Sequence, residues 1–289
     1  MARSKHSFDG SCGHQRGRRL ALEHLEQRRL LAADLELLRN INTVVGGGGS
    51  EPQEFVEVSG TIFFRANDGL TGYELWKTDG SAAGTVRVSD IQPGPEGSTP
   101  LWLTNVNGVL YFAANDGELG YELWKSDGTA AGTVLVSDIF SGEESSNPSY
   151  LTNVGGVLIF GADNGVTGAE LWSSDGTLTS TTQIVDISAG AGSSTPEQFT
   201  LVGQTLYFSA ATPSAGRELW RTDGTAAGTA LVKDIRAGVL GSTPENLTAV
   251  GETLYFAAND GVSGVELWKS DGTASGTTLV LNIRTFTDS

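Results

Sequence analysis

Glutamate and aspartate side chains recur along this 289-residue chain at a spacing of 48 residues. One set is Glu74, Glu122, Glu170, Glu218 and Glu266, and the other is Asp79, Asp127, Asp175, Asp223 and Asp271. A fivefold set of acids could line a cation site. An acid in such a pattern more commonly accepts hydrogen bonds from the backbone of its own repeat. We therefore expect structural roles for both sets.

A second oxygen-rich feature precedes several of these glutamates and suggests calcium, because hard cations prefer clustered oxygen ligands. It reads Asn67-Asp68-Gly69, Asn115-Asp116-Gly117 and Asn259-Asp260-Gly261, whereas the third repeat has Asp163-Asn164 and the fourth Ala211-Thr212-Pro213. EF-hand spacing is absent, and Asp-Gly is a common hairpin turn. We expect no metal ligands, with calcium binding in these loops as the alternative.

Tryptophan follows each repeated glutamate by two residues, at Trp76, Trp124, Trp172, Trp220 and Trp268. Five such rings could stack against sugars. A large aromatic residue recurring at a strand centre is better explained as packing between repeats, because buried aromatic side chains dominate core energetics. We favour packing, and we expect Trp172→Ala to be strongly destabilising.

Catalysis needs an asymmetric set of residues, so departures from the repeat are better candidates than the repeated positions. The clearest departures are Arg65, Trp102 and Arg217. They form no recognisable catalytic set, and no two carboxylates stand out as a glycosidase pair. Because His6, Cys12, His14 and His24 all precede residue 25, the repeats also lack an imidazole base for acyl transfer. We therefore expect no catalytic or cofactor-binding residues.

Composition and charge narrow the possible partners. The net charge is −16, which disfavours nucleic acid and anionic membrane surfaces as partners. No apolar run is long enough for a transmembrane helix. The single cysteine, Cys12, excludes an internal disulfide.

The elements that position these residues repeat with the same period. In the fifth repeat the pattern predicts strands at 247–250, 253–258, 265–270 and 277–283, and glycine-containing pairs such as Gly251-Glu252 predict two-residue hairpin turns. Leu267 and Trp268 point to opposite faces of the sheet, so both faces should be covered. Units of this length and strand number are typical of propellers.

We therefore predict an all-β fold, a five-bladed β-propeller of four-stranded antiparallel blades over residues 49–288. An open stack of the same sheets is the alternative. Because the number of units is whole and the terminal units are not visibly polar caps, we favour a closed ring.

Residues 1–48 differ in character and should form a mostly helical or disordered segment with a Gly-rich linker. This segment has 8 basic and 5 acidic residues, which leaves 10 basic and 29 acidic residues to the repeats. The charged residues Glu23, Glu26, Arg28 and Arg29 interrupt any secretory apolar core, so the residues alone do not show export. We expect removal of residues 1–40 to leave the melting temperature nearly unchanged, because Gly46–Gly49 is a flexible joint.

The repeats resemble the bacterial ELWxxDGT repeat family. Four copies read ELWKSDGT, ELWSSDGT, ELWRTDGT and ELWKSDGT, and the first departs only at Ser81. The stretch LEHLEQRRLLAAD, from Leu22 to Asp34, resembles the LEPR-XLL segment of large exported or surface-associated bacterial proteins, with Gln27 in place of proline. The resemblance implies an extracytoplasmic setting, at the cell surface or secreted, and implies no catalytic residue.

These observations favour a non-enzymatic interaction or structural module of an exported or cell-envelope protein. Its partner would be a protein or a cell-envelope polysaccharide, with no nucleic acid and no membrane insertion. Two alternatives belong to other classes: a carbohydrate-active propeller enzyme and a calcium-dependent carbohydrate binder.

Overall fold

A computed structural model of the chain describes residues 37–44 and 48–283. The expectations for the N-terminal segment, including Leu22–Asp34, therefore lie almost entirely outside the described residues. Residues 37–44 form no regular element. No helix in the described ranges is long and apolar enough to cross a membrane.

Twenty strands form five antiparallel sheets of four strands each, joined in the order of the sequence. The first blade contains β1 (Gln53–Val58), β2 (Thr61–Asn67), β3 (Tyr73–Thr78) and β4 (Val86–Arg87), and the second contains β5 (Leu101–Val106), β6 (Val109–Asn115), β7 (Tyr121–Ser126) and β8 (Val134–Ser137). The third contains β9 (Ser149–Val154), β10 (Val157–Asp163), β11 (Ala169–Ser174), a short 3-10 helix (Leu178–Ser180) and β12 (Thr182–Val185). The fourth contains β13 (Glu197–Val202), β14 (Thr205–Thr212), β15 (Gly216–Thr222) and β16 (Ala230–Lys233), and the fifth β17 (Glu245–Val250), β18 (Thr253–Asn259), β19 (Val265–Ser270) and β20 (Thr278–Leu281). The predicted fold, a five-bladed β-propeller, is confirmed.

Two-residue turns join the first and second strands of every blade, as predicted. In the fifth blade Val250 pairs directly with Thr253 across Gly251-Glu252. The backbone of these turns adopts one of two conformations, which differ in the φ angle of the second residue. Ser59-Gly60, Asn107-Gly108 and Gly155-Gly156 have positive φ at both residues, whereas Gly203 and Gly251 have it at the first residue only. These are the φ patterns of type I′ and type II′ hairpins, respectively.

The hydrophobic core lies between neighbouring blades. At the first boundary, Leu75 and Val88 of the first blade pack with Leu110, Phe112 and Trp124 of the second. We call the Leu75 side of a blade its outgoing face and the side that carries Phe112 and Trp124 its incoming face. The same arrangement recurs at the next three boundaries. Leu and Trp are adjacent on the third strand, so each blade uses both faces, as the strand period predicts.

The first strands of consecutive blades also contact one another, β1 with β5, β5 with β9, β9 with β13 and β13 with β17. They therefore form the inner edge of the array. The start of the first strand, the end of the second and the start of the third meet at one end of each blade, because Gln53 pairs with Arg65 and Asn67 with Tyr73.

The ring is open between the fifth and first blades, which corrects the expectation of closure. Leu267 on the outgoing face of the fifth blade is 40% exposed, whereas its four counterparts are fully buried. On the incoming face of the first blade, Ile62 is also 40% exposed, whereas Leu110 at the same position is fully buried. Within the described residues, the two end faces therefore do not cover each other. The four interfaces between successive blades share one repeated packing.

The contact unit that contains the propeller begins at Asn40, earlier than the expected boundary at Gly49. The physical reason is Ile41, which packs against Phe64, Ala66 and Trp76 of the first blade.

Candidate binding site

The repeated glutamates are buried and hold together the connection to the following blade. The Glu74 carboxylate accepts hydrogen bonds from the backbone N–H groups of Ile91 (3.1 Å), Gln92 (3.1 Å) and Ser98 (2.9 Å) and from the Ser98 hydroxyl (2.6 Å). Glu122, Glu170 and Glu218 repeat this pattern. In the fifth blade Glu266 accepts from Ile283 N–H. The expectation of backbone pairing is confirmed.

Burial raises the pKa of Glu74, Glu122, Glu170 and Glu218 above its ordinary value, while the hydrogen bonds act in the opposite direction. These acids are therefore structural groups with four donors each. They also lie in separate blades. The described residues contain no group of three or more His, Cys, Asp or Glu side chains that could hold a metal ion.

The Asn-Asp-Gly loops use their oxygens internally. Asp68 Oδ1 accepts hydrogen bonds from Leu70 N–H (2.9 Å) and Thr71 N–H (2.8 Å). Asp116, Asn164 and Asp260 make the same pair of contacts in their own loops. These contacts form Asx turns, and in the third blade an asparagine serves the same purpose as the aspartates. The loops are thus accounted for by turn geometry.

The aspartates after tryptophan also stabilise their own turns, as expected. Asp127 Oδ1 accepts from Thr129 N–H (2.8 Å) and from the Thr129 hydroxyl (2.7 Å), and these bonds lower the pKa of Asp127. A side chain at Gly132 would meet that carboxylate, because a Cβ there would lie 2.1 Å from Asp127 Oδ1. In the third blade Ser180 stands at the corresponding position, and its hydroxyl donates to Asp175.

The five repeated tryptophans lie in the boundaries between blades. Trp124, Trp172, Trp220 and Trp268 pack in the four interblade clusters, and Trp76 packs with Ile41. Lys233 of the fourth blade lies 5.9 Å from the ring centroid of Trp268. The packing interpretation is confirmed, and the alternative of five sugar platforms at these residues is wrong. Their Nε1 atoms are buried and have no hydrogen-bond partner among the described residues.

The three departures from the repeat, Arg65, Trp102 and Arg217, all lie at the same end of their blades. This is the end at which the first strand begins, the second ends and the third begins. Sequence reasoning did not group them, because they occupy three different positions of the repeat. The structure brings these positions together through the antiparallel register.

In the first and fourth blades an arginine fills this end. Arg65 donates to Gln53 Oε1 (2.5 Å), and its guanidinium carbon lies 5.4 Å from the ring centroid of Tyr73. In the fourth blade Arg217 reaches the same place from the third strand. It donates to the Ser209 hydroxyl (3.1 Å) and pairs with Glu197 (3.6 Å).

In the second and third blades the same end is open. Small residues replace the arginines, with Ala113 in the second blade and Gly161 and Ala169 in the third. A pocket of about 320 Å³ in the second blade is lined by Leu101, Trp102, Ala113, Tyr121, Asn147, Pro148 and Ser149. A pocket of about 220 Å³ in the third is lined by Ser146, Asn147, Ser149, Gly161, Ala162, Asp163, Ala169, Thr195 and Pro196. The two pockets share Asn147 and Ser149. We call them together the Trp102–Tyr150 site.

Aromatic rings stand beside these pockets in a row across three blades. The Trp102 and Tyr150 ring centroids lie 4.7 Å apart, and those of Tyr150 and Phe199 lie 5.5 Å apart. Trp102 is 38% exposed, so its ring is available to a ligand. The tryptophan suited to stacking on a sugar is therefore Trp102, which occupies a variable position of the repeat, and not one of the five repeated tryptophans.

An unusual backbone conformation presents these side chains. Glu54, Trp102, Tyr150, Gln198 and Asn246 occupy one repeat position, and all have a left-handed φ between 55° and 62°. The strand register shifts there in each of the five blades. The Glu54 carboxylate accepts a hydrogen bond from Trp102 N–H (2.9 Å) and holds this bulge. Strained backbone of this kind concentrates at functional sites. The sequence signal for it was the strong variation at one position of an otherwise regular repeat.

A larger hollow of about 420 Å³ lies beside Gly261–Glu266 in the fifth blade. In the other blades, glycines such as Gly72 and Gly120 at the corresponding position lie against the loop that leads to the next blade. Among the described residues, no atom lies within 4 Å of a Cβ built on Gly264. This hollow is therefore the place that the loop takes elsewhere.

Comparison with known proteins supports the fold alone. No protein-family model and no curated protein matches the chain. A structure from a study of two prolyl endopeptidases is 13% identical, with a TM-score of 0.53, and the match covers 91% of this chain and 40% of that one. A puromycin hydrolase S511A mutant in complex with PGG is 17% identical, with a TM-score of 0.52, and the match covers 87% and 42%. The chain thus spans about two fifths of the length of these solved chains, which share its propeller architecture.

Proposed function

We propose that this chain is a non-enzymatic binding module and that the Trp102–Tyr150 site binds an uncharged polysaccharide. The proposal depends chiefly on one observation, the exposed Trp102 ring, which lines the pocket of the second blade and lies 4.7 Å from the Tyr150 ring. Aromatic faces pair with the apolar faces of sugar rings, and the hydroxyl and amide groups of Ser149 and Asn147 suit sugar hydroxyls. Two pockets side by side match a chain ligand with more than one unit.

The charge of the site favours a neutral ligand. All seven residues that line the pocket of the second blade are uncharged, and Asp163 is the only ionisable residue that lines the other. An acidic polysaccharide would also be repelled by a protein of net charge −16.

The same lining supports binding over catalysis. Glycoside hydrolysis uses two carboxyl groups on either side of the scissile bond. The two pockets offer only Asp163, and its Oδ1 accepts a hydrogen bond from Gly165 N–H (2.7 Å). The peptidase neighbours bear on architecture only, since less than half of each is matched.

An exported or cell-envelope setting forms part of the proposal. The resemblance to the ELWxxDGT repeat family and to the LEPR-XLL segment supports it, and a cell-envelope polysaccharide would be the corresponding ligand. Immunodetection of the chain in separated cell fractions tests this setting, and recovery in the cytosolic fraction alone would contradict it.

Isothermal titration of the full chain with neutral glucans, mannans and galactans tests the binding function. We expect saturable binding by at least one of them, and a loss of about tenfold or more in affinity for Trp102→Ala. Gln198→Ala is the matched control. Gln198 occupies the same bulge position as Trp102, but it lies in the fourth blade, where Arg217 fills the end that is open in the second blade. A proline-rich peptide belongs in the same panel, and binding of the peptide alone would replace the polysaccharide proposal.

Two further measurements separate the alternatives. Release of reducing ends from the bound polysaccharide, absent from a heat-denatured control, would establish an enzyme and overturn the module. Titration with calcium and with a chelator should give equal affinities. A loss of binding in chelator would establish the calcium-dependent binder.

A further inference from the structure

The four interfaces between blades are copies of one another. Their outgoing faces bury Leu75, Leu123, Leu171 and Leu219, and their incoming faces bury Leu110, Leu158, Leu206 and Leu254. In each of the first four blades, a second-strand side chain also lies against the Asp-Gly turn of the next blade: Phe63 near Gly128, Tyr111 near Gly176, Ile159 near Gly224 and Tyr207 near Gly272. One packing register is therefore used four times.

The two ends of the array carry the two halves of a fifth such interface. On the fifth blade, Leu267 and Tyr255 stand where Leu123 and Tyr111 stand on the second. On the first blade, Ile62 occupies the position of Leu110. In the part of the chain that the structure describes, no atom lies within 4 Å of a Cβ built on Gly80, whereas a Cβ on Gly128 meets the Phe63 ring.

A hydrogen bond of the repeated interface also has both of its counterparts at the ends. Lys77 Nζ donates to the Gly128 carbonyl (2.8 Å), and Lys125 Nζ donates to the Gly176 carbonyl (2.9 Å). Lys269 occupies the donor position on the fifth blade, and Gly80 occupies the acceptor position on the first.

We propose that the outgoing face of the fifth blade docks on the first blade of a second copy of this chain, in the register of the four internal interfaces. Within the described residues of one chain the two end faces do not cover each other, since Leu267 and Ile62 are each 40% exposed. A second copy docked in this register meets a face of the same kind as the internal ones. Such a head-to-tail contact is heterologous, so it builds either a ring of copies or an open filament.

A short segment of the chain occupies part of the receiving face and should compete with the second copy. Ile41 covers Phe64 and Trp76, and Asn42 lies against Gly69 as Gln92 lies against Gly117. The pair Asn40-Ile41 also matches Asn282-Ile283 at the end of the fifth blade. Ile41 therefore takes the place of the last residues of a preceding blade. Docking replaces Ile41 with Ile283 of the second copy.

Analytical ultracentrifugation of the full chain over a wide concentration range tests the proposal. We expect self-association that grows stronger with added salt, because copies of net charge −16 repel each other until the charge is screened. Leu267→Glu and Ile62→Glu should each weaken it by about a hundredfold, since each buries an unpaired charge in the contact. Leu178→Glu is the matched control, because Leu178 is exposed in the short 3-10 helix of the third blade.

Mixing the two disabled variants tests the register. Leu267→Glu keeps a working first blade and Ile62→Glu keeps a working fifth blade, so an equimolar mixture should form dimers and stop there. A wild-type chain that stays monomeric at every concentration would overturn the proposal, as would a mixture that stays monomeric while the wild type associates. Ile41→Ser should tighten association severalfold, and unchanged or weaker association would overturn the assigned register.

Discussion

The third and fifth blades carry nearly the same motif, ELWSSDGT and ELWKSDGT, in different surroundings. Leu171 is fully buried because the fourth blade covers it, whereas Leu267 is 40% exposed. Trp172 and Trp268 are both buried, because each lies on a face covered by the preceding blade. The comparison shows that the motif is sufficient to specify the strands of a blade. The neighbouring blade determines how much of the apolar surface of that motif is buried.

Stability should therefore vary along the array. In a repeat protein each unit is stabilised by its own strands and by contacts with its neighbours. The fifth blade has one interface where the third has two, so we expect its amide hydrogens to exchange first. Substitutions at matched positions test this difference.

The largest expected effect is that of Trp172→Ala, which removes an indole from the boundary between the second and third blades. We expect a loss of about 3–5 kcal/mol in unfolding free energy. Denaturant unfolding followed by circular dichroism measures it. Trp102→Ala should change stability far less because Trp102 is partly exposed, and equal losses would contradict the division between packing and binding tryptophans.

The sharpest comparison is between Leu171→Ala and Leu267→Ala. The first opens a cavity in a closed interface and should cost about 2–5 kcal/mol, whereas the second should cost less than about 1 kcal/mol. The two variants should be measured by denaturant unfolding at low protein concentration, where docking between copies does not contribute. A loss as large for Leu267→Ala would show that its face is covered in the monomer.

Glu122→Ala should come next, with a loss of about 2 kcal/mol, because it leaves the buried donors of Ile139 and Ser146 without an acceptor. The control Asp127→Ala removes an acid from an exposed turn of the same blade and should have a smaller effect. The reverse order, measured by thermal melts, would contradict the structural role of the buried acid.

The pH dependence of stability should follow the buried glutamates. Their pKa values are raised in the folded protein above the ordinary 4.5, so the folded chain binds more protons than the unfolded chain between 4.5 and the raised values. The stability that protonation gives is fully present below 4.5 and is lost as pH rises through the raised pKa values. Asp79, Asp127 and their counterparts have lowered pKa values, so their contribution is lost as pH falls below the ordinary 3.8.

Calorimetric melts at a series of pH values above 4.5 check whether stability falls as pH rises. Glu122→Gln should flatten the slope above pH 4.5, because it removes one of the buried carboxyl groups whose pKa is raised. A melting temperature that rises steadily with pH through this window would contradict the assignment.

The smallest expected effect concerns the two Asn-Ile pairs. Ile41→Ala should lower stability by about 1 kcal/mol because Ile41 packs on the first blade, and Ile283→Ala should stay within about 0.5 kcal/mol. Thermal melts at low protein concentration compare them. Equal effects would show that the end of the fifth blade is packed as firmly as the start of the array.

Much of this architecture was predictable from the sequence, because a 48-residue period and hairpin turns specify blades directly. The roles of Glu74, Asp79 and Trp76 followed from their residue types at repeated positions. Openness of the ring was not predictable, because it depends on the angle between blades, which no single residue encodes. The Trp102–Tyr150 site was missed as a unit because its parts come from distant positions of the repeat, and only strand register brings Trp102, Ala113 and Tyr121 together.

The arginines at the first and fourth blades have a consequence for how specificity evolves. Arg65 fills the end of the first blade, whereas Ala113 at the same repeat position lines a pocket in the second blade. Substitution of this one residue can therefore turn a blade without a pocket into a blade with one, and no boundary between blades changes. Arg65→Ala should hollow out a third compartment next to Trp102. Duplication of such units adds blade ends that an arginine fills, and single substitutions can convert these ends into binding pockets one at a time.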